Sequence, residues 1–201
     1  MTTHADSHDD VSAVALESMV NASWSQLARA LSQPSHPMRF PVVATRTASG
    51  VDARIVVLRH ADQATRTLEF HTDTRSAKRH QLDKSAALIW VFYDPETSLQ
   101  LRFRGRALRC RDEQMVADRW TALAEHVQKA YTQSLAPGTI VDAIVDGAPC
   151  PNATDTQSGR QHFAVMHCAV DEIEWLRLSR HGHQRARMVF ADEWTANWVM
   201  P

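Results

Sequence analysis

The sequence predicts a mainly β, α+β domain: an antiparallel barrel with helices at its periphery. Three observations carry this expectation. Strand-like runs outnumber helical ones, and hairpin-length connections between them favour antiparallel pairing over βαβ crossovers. Between Ser98 and Leu108, the residues Leu99, Leu101 and Phe103 alternate with Gln100, Arg102 and Arg104, the signature of a half-buried strand. A length of 201 residues fits one domain. We assign it to residues 11–201, behind a polar stretch, 1–10, expected to be disordered.

The elements follow in order. Apolar residues from Val14 through Met19, Trp24 and Leu27 to Leu31 recur near helical spacing, predicting a helix over 11–33 that stops before Pro34. Strands are expected at Phe40–Thr47 and, after the turn Ala48-Ser49-Gly50, at Asp52–Leu58. Another should precede the turn at Thr72. The insert Ser76–Leu82 lacks Gly and Pro and reads as a short helix. Ala86–Tyr93 is a continuous apolar run, as in a strand buried on both faces. Gly105 marks a bulge or a close backbone approach within the arginine-rich strand. Asp112 opens a helix with Met115, Val116, Trp120 and Leu123 on one face. A long loop, 136–160, follows, of the kind that is functional or disordered. Strands are then expected at His162–Val170, Glu172–Leu178, Ala186–Phe190 and Trp194–Val199.

Composition narrows the function classes. Hydrophobic residues at 44% and charged residues at 22% are ordinary for a globular domain. A formal net charge of −1 argues against a nucleic-acid partner. No apolar run is long enough to cross a membrane, and the acidic N-terminus is unlike a secretory signal. Cys110, Cys150 and Cys168 show no metal-type spacing and read as reduced thiols of a cytoplasmic protein. His181 and His183 share one side of a strand, but no third ligand stands at a persuasive spacing, so no metal is expected.

Chemistry concentrates between Arg54 and Arg106. Arg54 opens a β-branched run, Thr72 and Ser76 flank a turn, and Lys78 begins a helix whose dipole disfavours it. Hydroxyls, a lysine and the N–H groups of a helix N-terminus converging on one spot can grip a phosphate.

In order and spacing these residues resemble the flavin-binding core of the pyridoxamine 5′-phosphate oxidase family. The matching segments are Arg54-Ile55-Val56-Val57-Leu58-Arg59, His71-Thr72, Ser76-Ala77-Lys78, Gln100, Gln133-Ser134, and Trp175 with His183 and Arg185. The resemblance covers roughly residues 38–201. It implies a split β-barrel working as a homodimer, with FMN at the subunit interface. By that resemblance Arg54, Ser76 and Lys78 hold the phosphate. Ile55, Val56, Val57, His71, Thr72 and Gln100 line the ring and ribityl chain. Gln133 and Ser134 reach FMN from the partner subunit, and Trp175 and Arg185 close the pocket. Arg59, His181 and His183 then face a small-molecule substrate.

The chain also departs from the family's oxidases. Ala77 stands where they carry a second arginine, and His181 replaces a substrate arginine. The helix near residues 115–125 offers only Arg119, out of register, in place of the substrate's phosphate partners. The expectation is therefore an FMN-dependent oxidoreductase related to these oxidases but not a genuine pyridoxamine phosphate oxidase. The alternative is a non-catalytic flavin- or haem-binding split barrel.

Overall fold

The computed structural model describes residues 6–141, 156–191 and 194–201, with side chains from residue 14 onward. Nine strands form one antiparallel sheet: β1 Val42–Arg46, β2 Val51–Ile55, β3 His60–Asp62, β4 Thr67–Asp73, β5 Ala87–Asp94, β6 Leu99–Arg109, β7 Phe163–Arg177, β8 Gln184–Phe190 and β9 Trp194–Val199. The order is β2-β1-β5-β6-β7-β4-β3, and β8 and β9 branch from β7. The fold is the split barrel, with a sheet that does not close.

The split has a local cause. β7 pairs with β6 along its length, but its other neighbour changes from β4 at Phe163–Ala169 to β8 at Glu172–Arg177. The switch falls where the β6–β7 register slips between Arg104 and Gly105. A bulge of this kind bends the strand and increases its twist. At Gly105 a Cβ would lie 2.0 Å from the Ala169 carbonyl oxygen, so only glycine admits this approach. The expected bulge is therefore present. The two strands expected at His162–Val170 and Glu172–Leu178 are one, because the bulge absorbs the polar Asp171 instead of ending the strand.

Helix α1 spans Asp6–Ser32, starting before Val11, so residues 6–10 are helical where disorder was expected. Residues 1–5 lie outside the described residues. Leu16, Val20, Trp24, Leu27 and Ala30 are buried at the spacing of one helical face, while Val14 is 63% exposed. Trp24 meets Phe103 edge-on, with ring centroids 5.3 Å apart, and Phe92 and Phe70 continue the aromatic core through Trp90.

β5 corrects the expectation of a strand buried on both faces. Leu88, Trp90 and Phe92 are buried, whereas Ala87 and Tyr93 are exposed and Ile89 and Val91 are half-buried. The apolar run is continuous because the outer face is apolar too, not because both faces are covered. The second expected strand also ends early, at Ile55. From there the Val56 and Leu58 N–H groups bond to Pro41 and Arg39 rather than to the ladder.

Helices α2 Ala77–Lys84, α3 Glu113–Thr121, α4 Glu125–Lys129 and α5 Gln157–Arg160 lie around the sheet. The loop expected over 136–160 ends in α5, and residues 142–155, including Cys150, lie outside the described residues. Among the described residues no helix is long and apolar enough to cross a membrane.

Candidate functional site

β4 presents two chemistries on its two faces. Thr72 shares the face of Leu68 and Phe70, and its Oγ1 lies 3.0 Å from Ser76 Oγ and 3.3 Å from Lys78 Nζ. Ser76 Oγ donates to the Asp73 carbonyl at 2.7 Å, which tightens the turn into α2. Ser76 occupies the N-cap of α2 in extended conformation, yet its side chain does not cap the helix, and no acidic residue stands in the first turn. The first N–H groups and the positive dipole end therefore face the spot where Lys78 begins.

Lys78 is half-buried and has no carboxylate within ion-pair distance among the described residues. Burial, and then the charge of Arg54, push its pKa below the ordinary lysine value. Arg54 reaches the same region from β2. It donates to Thr45 Oγ1 at 2.6 Å and Gln81 Oε1 at 3.0 Å, and pairs with Asp52. Gln81 in turn donates to Asp52 at 3.0 Å. The structure thus brings Arg54, Thr72, Ser76 and Lys78 into one region.

It adds partners that sequence reasoning missed. Thr45 and Gln81 position Arg54. The available signals were a hydroxyl at Thr45 within the expected strand and an amide at Gln81, three residues beyond Lys78 on the helix. Arg75 grips Asp73 and donates to the carbonyls of Gln133, at 2.9 Å, and Ser134. The Gln133-Ser134 pair therefore lies beside the Asp73–Ser76 turn of its own chain.

The other face of β4 carries Glu69 and His71. Glu69 is fully buried and accepts from Arg119 Nε at 3.0 Å; His71 Nε2 lies 3.0 Å from one oxygen and His167 Nε2 3.2 Å from the other. Burial alone would raise its pKa. The hydrogen bonds of His167 and His71 and the charge of Arg119 outweigh this and hold the carboxyl well below the ordinary range. His71 itself is lowered by burial despite Glu69, and packs edge-on against Phe163 at 4.8 Å. Its side chain thus faces α3, away from Thr72.

Arg59 lies near Tyr131 and Glu69, half-buried, with burial lowering its pKa. Burial pushes Tyr131 up to about 12. Ile55 is 67% exposed on the outer face, and Val56 is buried in the core. Trp175 is also a core residue, aligned with Leu101 and Ala186.

Gln100 and Arg185 lie on the outer face in the row Tyr93–Gln100–Leu176–Arg185. Arg185 bonds Glu174 at 2.8 Å. By strand spacings Gln100 stands roughly 15–20 Å from Arg54 and on the opposite face of the sheet. His181 and His183 occupy the β7–β8 turn, where His183 Nδ1 accepts from Ser179 N at 3.1 Å. That turn is at the far end of β7 from Arg59. One chain therefore brings Arg54, Thr72, Ser76 and Lys78 together and leaves Gln100, Arg185, His181 and His183 elsewhere.

Residues 21–110 match the family model described as the pyridoxamine 5′-phosphate oxidase FMN-binding domain. No curated protein sequence matches significantly. Among solved structures, a pyridoxamine 5′-phosphate oxidase-related FMN-binding protein from Nostoc punctiforme superposes with TM-score 0.73 at 24% identity, covering 87% of this chain and 95% of that one. PhzG from Burkholderia lata, in complex with tetrahydrophenazine-1-carboxylic acid, gives 0.70 at 18% identity, covering 90% and 92%. A protein related to general stress protein 26 from Clostridium acetobutylicum gives 0.53 at 12%, covering 84% and 94%. Residues 21–110 are thus similar to the pyridoxamine 5′-phosphate oxidase FMN-binding domain, and the fold of the solved neighbours is shared along most of the chain.

Proposed function

We propose that the protein binds FMN non-covalently and acts as an FMN-dependent oxidoreductase on a small molecule other than pyridoxamine 5′-phosphate. The observation that carries this is Lys78: a half-buried cation with no carboxylate in ion-pair contact among the described residues, beside two hydroxyls and an uncapped helix N-terminus. A phosphate monoester satisfies all of these at once, through charge-assisted bonds and the helix dipole. Arg54, already oriented by Thr45 and Gln81, adds a second positive charge nearby. The bound flavin would supply the redox chemistry, while the chain positions it and tunes its surroundings.

The outer-face residues enter if the protein is a homodimer. Gln100, Arg185, His181 and His183 are too far from Lys78 to share a ligand with it in one chain, but a second copy would present them. An apolar patch supports such an interface. Val42 lies beside Ile55 and Val91 on the outer face, and Tyr93, 46% exposed, follows along β5. Cytoplasmic residence fits the free thiols Cys110 and Cys168.

The departure from vitamin oxidation rests on α3. Arg119, the one cation there that could meet a substrate phosphate, is bound to Glu69, and Trp120 is buried against Phe163 and Tyr131. A site lacking the partners of a polar substrate group discriminates heavily against it.

Calorimetric titration of purified protein with FMN and with FAD tests the reading, alongside light scattering for assembly. FMN should bind more tightly, to a dimer, and pyridoxamine 5′-phosphate should turn over far below about 1 per second. Preference for FAD, or a flavin-loaded monomer, would refute it.

A further inference from the structure

A half-open cavity of about 1050 Å³ lies beside α2 at Arg79 and Asp83, between β6, β7 and the start of α3. Its volume is at the upper limit of small-molecule sites. It shares no residue with the Arg54–Lys78 cluster.

Its charge is unbalanced. Arg79 is paired with Asp83 on the helix wall. Arg106, Arg109, Arg111 and Arg160 line the same cavity and are exposed, with no carboxylate in ion-pair contact among the described residues. Two further carboxylates are present, Asp112 and Glu113, but Asp112 caps α3 by accepting from Met115 N at 3.0 Å. Five guanidinium groups thus face three carboxylates. The floor is different in kind: Leu108, 66% exposed on the outer face of β6, lies with the half-buried Met115 and Val116. Water-exposed leucine ringed by arginines in excess of carboxylates is a poor arrangement for an empty surface and a good one for an amphipathic anion.

We propose that this cavity is a second ligand site, separate from the flavin cluster, for a small molecule carrying two or more phosphate charges on an apolar ring. The phosphates meet Arg106, Arg109 and Arg111 through bidentate bonds, and the ring lies on Leu108 and Met115. The site depends on this chain's own residues and stands whether or not FMN binds at Lys78.

Calorimetry on the full-length protein, saturated with FMN, tests this with inorganic pyrophosphate and ADP as probes. Both should bind saturably, at one per chain. Arg106→Ala and Arg109→Ala, at exposed positions that leave folding intact, should each weaken both probes about tenfold. Leu108→Ser should weaken ADP and leave pyrophosphate unchanged. Lys78→Ala should affect neither probe. The proposal is overturned if neither probe saturates, if the arginine variants bind as wild type, or if Lys78→Ala abolishes binding. The last result would place the probes in the flavin cluster.

Discussion

Thr72 and His71 are neighbours on β4, yet the charges they touch are settled in opposite ways. On the His71 face, Glu69 is fully buried and surrounded by two imidazoles and a guanidinium, so its charge is answered within the chain. On the Thr72 face, Lys78 is half-buried beside two hydroxyls, with Arg54 nearby but already paired with Asp52 and no carboxylate in ion-pair contact with the lysine among the described residues. Both arrangements concentrate polar groups below a strand. The first is a closed account of charges and holds α3 to the sheet; the second is open and calls for an anion. Balance, rather than the mere density of charged residues, separates scaffold from site.

The largest effect should come from breaking the closed side. Glu69→Gln removes the one anion among His71, His167 and Arg119 and should cost about 3–5 kcal/mol of stability, as the loss of one partner in a buried ion pair does. Denaturant unfolding measures it. FMN affinity of the folded fraction should change little, because Lys78 lies on the other face.

On the open side, Lys78→Ala should lower FMN affinity by about ten- to a hundredfold, corresponding to about 1.5–3 kcal/mol for a charge-assisted bond. Its stability should stay at or above that of wild type, since removing an unanswered buried charge removes a desolvation cost. A fall in stability equal to that of Glu69→Gln would show that the two faces do not differ.

Acid should sharpen the contrast. A carboxyl whose folded pKa is depressed contributes stability above its unfolded value, near 4.5, and loses it as pH falls through the folded value. The gap between wild type and Glu69→Gln should therefore be widest near neutrality and shrink below about pH 4.5. A gap that stays constant from pH 7 to 3 would show that Glu69 is not held ionised by its neighbours. The smallest effect is expected of Arg79→Ala. Arg79 is next to Lys78 in sequence but pairs with Asp83 on another side of α2, so FMN affinity should move by less than about twofold.

The legible part of the molecule was the part written in local pattern. Alternation in β6, the helical stripe from Leu16 to Ala30 and the glycine at 105 each announce their structure, because periodicity and backbone permissiveness act over a few residues. Ser76 and Lys78 were legible for the same reason, since a helix start places both. What escaped was side-chain direction across distant elements. His71 was grouped with Thr72 as a flavin contact, but successive strand residues point to opposite faces, and Glu69 claims His71. Trp175 was expected at the pocket and lies in the core, where its register with Leu101 sets its face. Thr45, Gln81 and Arg75 were missed because their roles depend on contacts tens of residues away. The division of the predicted contacts between opposite sheet faces was equally invisible, because it follows from strand order.

The most direct test pairs two readouts on two variants. FMN titration and denaturant unfolding are run side by side on wild type, Lys78→Ala and Glu69→Gln. The account predicts a crossed pattern: Lys78→Ala loses flavin affinity and keeps stability, while Glu69→Gln loses stability and keeps affinity in its folded fraction. Parallel losses in both variants, or an unchanged FMN affinity for Lys78→Ala, would contradict the assignment of the open face as the phosphate site.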